Sequence, residues 1–263
     1  MPREFSTALG ALKGTLADVV RRRNDPLFRE TLRSALHTVP IAATKTLPWL
    51  VRAREGRDES IERMIAENAR VDPDALALEM GDEQLTWGDV DERVSRIAAV
   101  LADHGVGPGD VVVLLGDNSP SYLCVLFGIS RLGATASLIN SHLEGSPLEH
   151  AIVSSRGRLA LVQTEFLPRV RALDRLSTLR VVSFELGELE DRVAKASALR
   201  ARVRVDASSD FVYIFTSGTT GLPKPCRVTH ARAVLAGAAF GPLLFEFQPG
   251  DKLYSVLPLY HSS

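Results

Sequence analysis

The sequence predicts an α/β chain, with mostly parallel sheets and helices on both faces. Three observations point there. Short apolar runs rich in β-branched residues recur along the chain, the clearest being "VVVLLG" at 111–116. They are apolar throughout rather than alternating, as strands buried on both faces must be. Between them lie longer segments whose apolar residues step by three and four, so strands alternate with helices and the connections read as crossovers.

Taken in order, residues 1–57 read as helices. Leu9, Leu12, Leu16 and Val19 form one stripe, and Arg21, Arg22 and Arg23 end it. Asn24, Asp25 and Pro26 restart a helix with a cap residue and a first-turn proline. Phe28, Leu32 and Leu36 continue the stripe until Pro40 and Pro48 break the pattern. "SIERMIAENAR" is a helix, and "ALALEM" and "QLT" bracket Gly81-Asp82 as a hairpin. Further helices are expected at 87–104, 119–132, 147–154, 165–173, 188–199 and 230–244. The first of these begins at a buried Trp87 and carries Val90, Val94, Ile97, Ala98 and Leu101 on one face. The "DNSP" stretch caps the second, and Thr229 caps the last. Strands are expected at 111–116, 134–139, 159–162, 179–184, 211–215 and 252–257. "GVGPGD" is not a dinucleotide fingerprint, because a helix precedes its glycines and a strand follows; Gly105 reads as a helix stop.

The chain has 263 residues, of which 45% are hydrophobic and 24% charged, an ordinary globular balance. No apolar run reaches the roughly 18 residues of a membrane-spanning helix. The first ten residues lack the pattern of a secretory signal. The two cysteines, Cys124 and Cys226, suggest neither a disulfide framework nor a zinc site, and a reducing cytosol is the default. The six histidines have no HExxH spacing, so no protein-held transition metal is expected.

Charge is unevenly spread. Residues 1–57 carry 11 Lys+Arg against 5 Asp+Glu, and the remainder 20 against 27. Two readings of the basic leader stay open: it packs on the main body, or it lies on an anionic membrane surface. Nucleic acid is not an expected partner, since the main body is acidic and the leader lacks interleaved aromatics. The division is therefore 1–57, a basic helical leader, and 58–263, one α/β unit.

The most informative stretch is "YIFTSGTTGLPKP", 213–225. Gly218 and Gly221 let the backbone bend sharply and approach a ligand. Thr216, Ser217, Thr219 and Thr220 supply hydroxyls, and consecutive loop amides can form an anion-binding concavity. Lys224 adds a mobile positive charge. The loop is not a GxxxxGK[ST] phosphate loop, because no Ser or Thr follows the lysine. It nonetheless suits a polyphosphate.

"TSGTTGLPK" resembles, residue for residue, the phosphate-binding signature of the adenylate-forming superfamily, which includes acyl-CoA synthetases, luciferases and peptide-synthetase adenylation domains. The segment 85–140 resembles that family's N-terminal region, and "LPLYHSS" resembles its next core motif. "VTHAR" and "LINSHLEGSPLEHAI" are most similar to the fatty acid transport protein, or very-long-chain acyl-CoA synthetase, branch. The resemblance covers about residues 60–263 and implies the first half of a large N-terminal adenylation domain.

The resemblance implies two steps. A carboxylate attacks the α-phosphorus of ATP to give acyl-adenylate and pyrophosphate, and CoA then displaces AMP. Thr216, Ser217, Gly218, Thr219, Thr220, Gly221 and Lys224 would hold the ATP phosphates, with Mg²⁺ assisting. Lys224 and His261 would be catalytic, and Tyr260 and His261 would border the acyl pocket. The other reading of His261 is a satisfied histidine at a strand end. Cys226 is assigned no role. Fatty acid, ATP and CoA are the expected partners, and a homodimer is compatible with the sequence. The expected location is cytoplasmic, with peripheral contact at the inner face of the cell membrane. The family's later motifs are missing, so the chain is expected to be a fragment or a short natural protein without full ligase turnover. Carrier-protein loading and a non-catalytic lipid-handling role remain the alternatives. Acyl chain length is not legible.

Overall fold

The computed structural model describes residues 53, 56–185, 187–198, 203–217, 222–248 and 250–261. Most of the basic leader thus lies outside the described residues, as does the expectation of helices there. Helix α1 (Ile61–Val71) starts at Ser60, whose hydroxyl accepts from the Arg63 amide at 3.1 Å. The expected hairpin follows as β1 (Leu76–Met80) and β2 (Glu83–Thr86), turning through Gly81 at φ 60°. Helix α2 (Trp87–Asp103) opens on a capping box: the Asp89 amide donates to the Thr86 hydroxyl while Asp89 accepts from the Thr86 amide. All five residues expected on its apolar face are buried; Trp87 is only half-buried. Gly105 ends the helix at φ 77°, in the left-handed region that glycine enters freely.

The main sheet has six strands. β3 (Val111–Leu115), β4 (Thr135–Ile139), β5 (Leu159–Gln163), β6 (Arg180–Phe184) and β7 (Asp210–Ser217) are mutually parallel, in the order β6-β5-β3-β4-β7. An antiparallel strand, β8 (Pro223–Thr229), closes one edge against β7. Helix α3 (Pro120–Arg131) joins β3 to β4, α4 (Gly145–Ser155) joins β4 to β5, α5 (Leu167–Arg171) joins β5 to β6, and α6 (Glu188–Val193) joins β6 to β7. The last helix, α7 (His230–Ala238), is capped by Thr229 as expected and runs into a wider π turn at Ala239–Leu244.

Topology explains the two faces. The steps β3→β4 and β6→β7 cross the sheet in one direction, and β4→β5 and β5→β6 in the other. Right-handed crossovers then place their helices on opposite sides. Accordingly α1, α2, α3 and α6 bury Val112, Leu114, Ala136, Leu138, Leu159 and Leu161, one core. On the reverse face α4 and α5 bury Val113, Leu115, Ile139, Ala160 and Val162. Period-two alternation across a sheet covered twice requires apolar residues at every position, which is why these strands read as unbroken apolar runs. Among the described residues no helix is long and apolar enough to cross a membrane.

A buried ionic cluster ties three helices of the first core. Arg131, at the end of α3, donates from Nε to Glu62 of α1 at 2.6 Å and pairs through Nη2 with Asp91 of α2. Arg131 and Glu62 are both buried.

Several expectations need correction. Residues 252–257 form no strand: Leu253, Tyr254 and Val256 are exposed, and the segment joins neither edge of the sheet. A strand persists only with a ladder partner, and this segment has none among the described residues. Helix α6 stops at Val193, because after Leu189 and Val193 the residues that follow are mostly exposed. Helix α7 gives way at Ala238; Pro242, which has no amide hydrogen, cannot extend the α ladder. The helix expected at 165–173 is a 3-10 turn, Thr164–Phe166, followed by the short α5.

Candidate functional site

In open α/β sheets, ligands bind beyond the carboxyl ends of the strands, where adjacent connections leave for opposite faces. Here that point is the end of β3. Its outgoing chain goes to one face, while those of its neighbours β4 and β5 go to the other. Each strand ends there in polar residues: Asp117, Asn118 and Ser119 after β3, Asn140 and Ser141 after β4, Gln163 closing β5, and Glu185 after β6.

These residues are bonded into one network. The Gln163 side chain accepts the Asp117 amide at 2.7 Å and donates to Glu185 at 2.6 Å. The hydroxyl of Ser119 donates to the other oxygen of Glu185, and that of Ser141 donates to Asp117. Ser119 also caps α3, accepting from the Tyr122 amide at 3.0 Å. Glu185 has φ 60°, a conformation a side chain resists, and its amide is held by Glu190 at 2.7 Å. Gly116 lies beneath this network. A Cβ there would sit 2.8 Å from Phe184 Cζ, 3.0 Å from Gln163 Oε1 and 3.2 Å from Tyr122 Cδ2. Gly116→Ala is therefore expected to cost about 1–3 kcal/mol of stability. A urea midpoint equal to that of the native chain would contradict it.

Of the candidate residues, Thr216 and Ser217 end β7, and Lys224 lies on β8 directly opposite Thr216. The neighbouring pair, Phe215 and Pro225, presents the other face, where Phe215 joins the second core. Thr216 and Lys224 thus share a face and are both exposed. Gly218, Thr219, Thr220 and Gly221 lie outside the described residues.

Tyr260 and His261 are brought to the same edge of the sheet. Tyr260 is buried at 3% exposure, with its ring edge-on to His142 beyond β4 at 6.5 Å. His261 is exposed beside it, with ring centroids 5.1 Å apart. The backbone before them is gripped by Asn118, which donates from Nδ2 to the Leu257 carbonyl at 2.9 Å and accepts the Leu259 amide at 2.8 Å. Below lies Tyr122, fully buried; burial first, then the neighbouring Tyr260, pushes its hydroxyl well above the ordinary range. Burial likewise pushes the Cys124 thiol up to about 11, which leaves it inert at neutral pH.

The sequence reading missed the residues of this network and Asn118. The signal that could have found them is positional: polar residues directly after apolar strands of a parallel sheet.

Among the described residues no three His, Cys, Asp or Glu side chains converge on a metal site. Mg²⁺ held beside a nucleotide's phosphates needs only one or two carboxylates, so it does not depend on such a cluster.

A match to the AMP-binding enzyme family runs over residues 65–263. The medium/long-chain-fatty-acid–CoA ligase FadD6 of Mycobacterium tuberculosis is 35% identical over 220 residues, which is 80% of this chain and 36% of that protein. Long-chain fatty acid transport protein 2 of Rattus norvegicus is 30% identical over 219 residues, 78% of this chain and 35% of that protein. The inhibitor-bound N-terminal domain of FACL13 from Mycobacterium tuberculosis superposes with a TM-score of 0.61 at 28% identity, covering 65% of this chain and 44% of that one. The chain thus spans about a third of the length of the curated relatives it matches. The match takes in every strand of the six-stranded sheet and the hairpin at its edge, and on that ground the chain belongs to the family of AMP-binding enzymes.

Proposed function

We propose that the protein carrying this chain activates a long- or very-long-chain fatty acid with ATP, through an acyl-adenylate, to its CoA thioester. The observation that carries the reading is the β7–β8 hairpin. It sets Thr216 and Lys224 on one face, at the carboxyl end of a parallel strand, on either side of the "SGTTGLP" loop. The relatives' printed names, a fatty-acid–CoA ligase and a fatty acid transport protein, support the substrate class.

In the first step a carboxylate oxygen of the fatty acid attacks the α-phosphorus, and pyrophosphate leaves with the electrons of the broken P–O bond. Negative charge builds on the departing β-phosphate. Lys224, a point charge on a flexible stem, and the hydroxyls of Thr216, Ser217, Thr219 and Thr220 hold those phosphates and offset that charge. In the second step the CoA sulfur attacks the acyl carbonyl and AMP departs. Tyr260, buried at the same sheet edge, offers an apolar wall for the acyl chain, with His261 at its rim. The positive excess of residues 1–57 supports contact with an anionic membrane surface.

A polypeptide of the relatives' full length that contains these residues, given ATP, Mg²⁺, palmitate and CoA, is expected to form palmitoyl-CoA, AMP and pyrophosphate. Thioester on a phosphopantetheine carrier but not on CoA would reassign the acceptor. Failure to release pyrophosphate with any fatty acid would sink the adenylation reading.

A further inference from the structure

We infer that Asn118 is a positioning residue: its carboxamide fixes the backbone of residues 257–259 at the carboxyl end of β3 and so seats Tyr260 in the crevice beside it. The geometry is two-sided. One end of the amide donates to the Leu257 carbonyl and the other accepts the Leu259 amide, so both polar ends of a single side chain are spent on one short backbone stretch. The assignment of oxygen and nitrogen is forced, since a donor must face the carbonyl and an acceptor the N–H. The two contacts bridge 139 and 141 residues of sequence.

The clamp matters because little else among the described residues holds the segment. Residues 251–257 enter no strand, and Leu253, Tyr254, Val256 and Leu257 are exposed. Lys252 pairs with Glu79, but both side chains are exposed, and such pairs contribute little. Downstream of Asn118's grip, Leu259 packs on the first core and Tyr260 becomes buried. Asn118 itself is not free to drift. The Asp117 amide before it is bound to Gln163, and the Ser119 hydroxyl after it to Glu185. The network that joins β3, β5 and β6 therefore sets the place of Leu259, 141 positions beyond Asn118 along the chain. The functional weight of this inference rests on the ligase reading, in which Tyr260 and His261 border the acyl pocket. The geometric claim does not.

The test uses the whole chain and its four tyrosines. Tetranitromethane modifies accessible tyrosine rings, and mass spectrometry locates them. Tyr254, 87% exposed, reports ready access; Tyr122 and Tyr260, at 0% and 3%, report the core and the seated segment. In Asn118→Ala the nitration rate of Tyr260 is expected to rise about tenfold, as befits the loss of two hydrogen bonds, while Tyr122 stays sealed. Asn118→Asp keeps the acceptor for Leu259 but turns an oxygen toward the Leu257 carbonyl, and an intermediate rate is expected. Tyr260 as protected in Asn118→Ala and Asn118→Asp as in the native chain overturns the inference. So does joint opening of Tyr122 and Tyr260, which would mark a general loosening of the core. Because the assay contains no nucleotide or fatty acid, its failure leaves the ligase reading intact. Failure of palmitoyl-CoA formation in turn leaves the hold on the segment intact.

Discussion

Lys224→Ala in a polypeptide of the relatives' full length is expected to slow pyrophosphate release from ATP and palmitate by about a hundredfold, equivalent to about 2.7 kcal/mol of transition-state stabilisation. The reason is where the charge develops. Pyrophosphate leaves with more negative charge than it carries in ATP, so a cation at the β- and γ-phosphates stabilises the transition state more than the bound substrate. Lys224 stands exposed on an edge strand opposite Thr216, so its removal leaves the core untouched. The loss is therefore expected in turnover and not in the urea midpoint. Lys224→Arg keeps the charge in a different shape and recovers part of the rate. Adding Gly218→Ala to Lys224→Ala deepens the loss, because a side chain would crowd a backbone expected to close on the phosphates. Undiminished pyrophosphate release in the double variant would remove the phosphate clamp from the mechanism.

The largest expected change in stability lies elsewhere, at Arg131. Arg131→Ala removes the guanidinium that the carboxylates of Glu62 and Asp91 share, and Glu62 is fully buried. Breaking a buried ion pair from one side costs about 3–5 kcal/mol, because the remaining charge keeps its desolvation penalty and loses its partner. A domain's whole stability is about 5–15 kcal/mol, so this single change would leave α1, α2 and α3 poorly joined. Removing both charges, with Glu62→Leu and Arg131→Leu, is expected to restore most of the loss, since Asp91 is partly exposed and can turn to water. Urea unfolding read by circular dichroism measures both. A double variant as unstable as the single one would show that shape, not charge, holds the three helices.

Much of this fold is visible in local sequence. Val90, Val94, Ile97, Ala98 and Leu101 announce the buried face of α2 by spacing alone, and "VVVLLG" announces a strand covered twice. Thr229 and the "DNSP" stretch announce helix starts because capping is settled within four residues. The failures share a cause. Pro223–Thr229 looks like loop, with two prolines and a run of polar residues, and becomes a strand only through its ladder with β7. Residues 252–257 have the apolar content of a strand, yet exposed Leu253 and Tyr254 show that content without a partner does not make one. The candidate site divides the same way. Thr216, Ser217 and Lys224 are close in sequence, and a hairpin was enough to bring them together. Asn118, Gln163 and Glu185 acquire meaning only when distant strands align their ends. No window along the chain contains that information.

The outer strand of the sheet has one more property. Pro223 and Pro225 carry no amide hydrogen, and proline is tolerated in a paired strand only where its nitrogen faces away from the partner. The free side of β8 is thus short of donors at alternate positions along half its length. A rim so depleted is a poor template for another molecule's strand, and edge-to-edge growth into aggregates is discouraged where an open sheet is most vulnerable. The strand that carries Lys224, the residue proposed to meet the nucleotide, is thus also one that discourages pairing between copies of the chain.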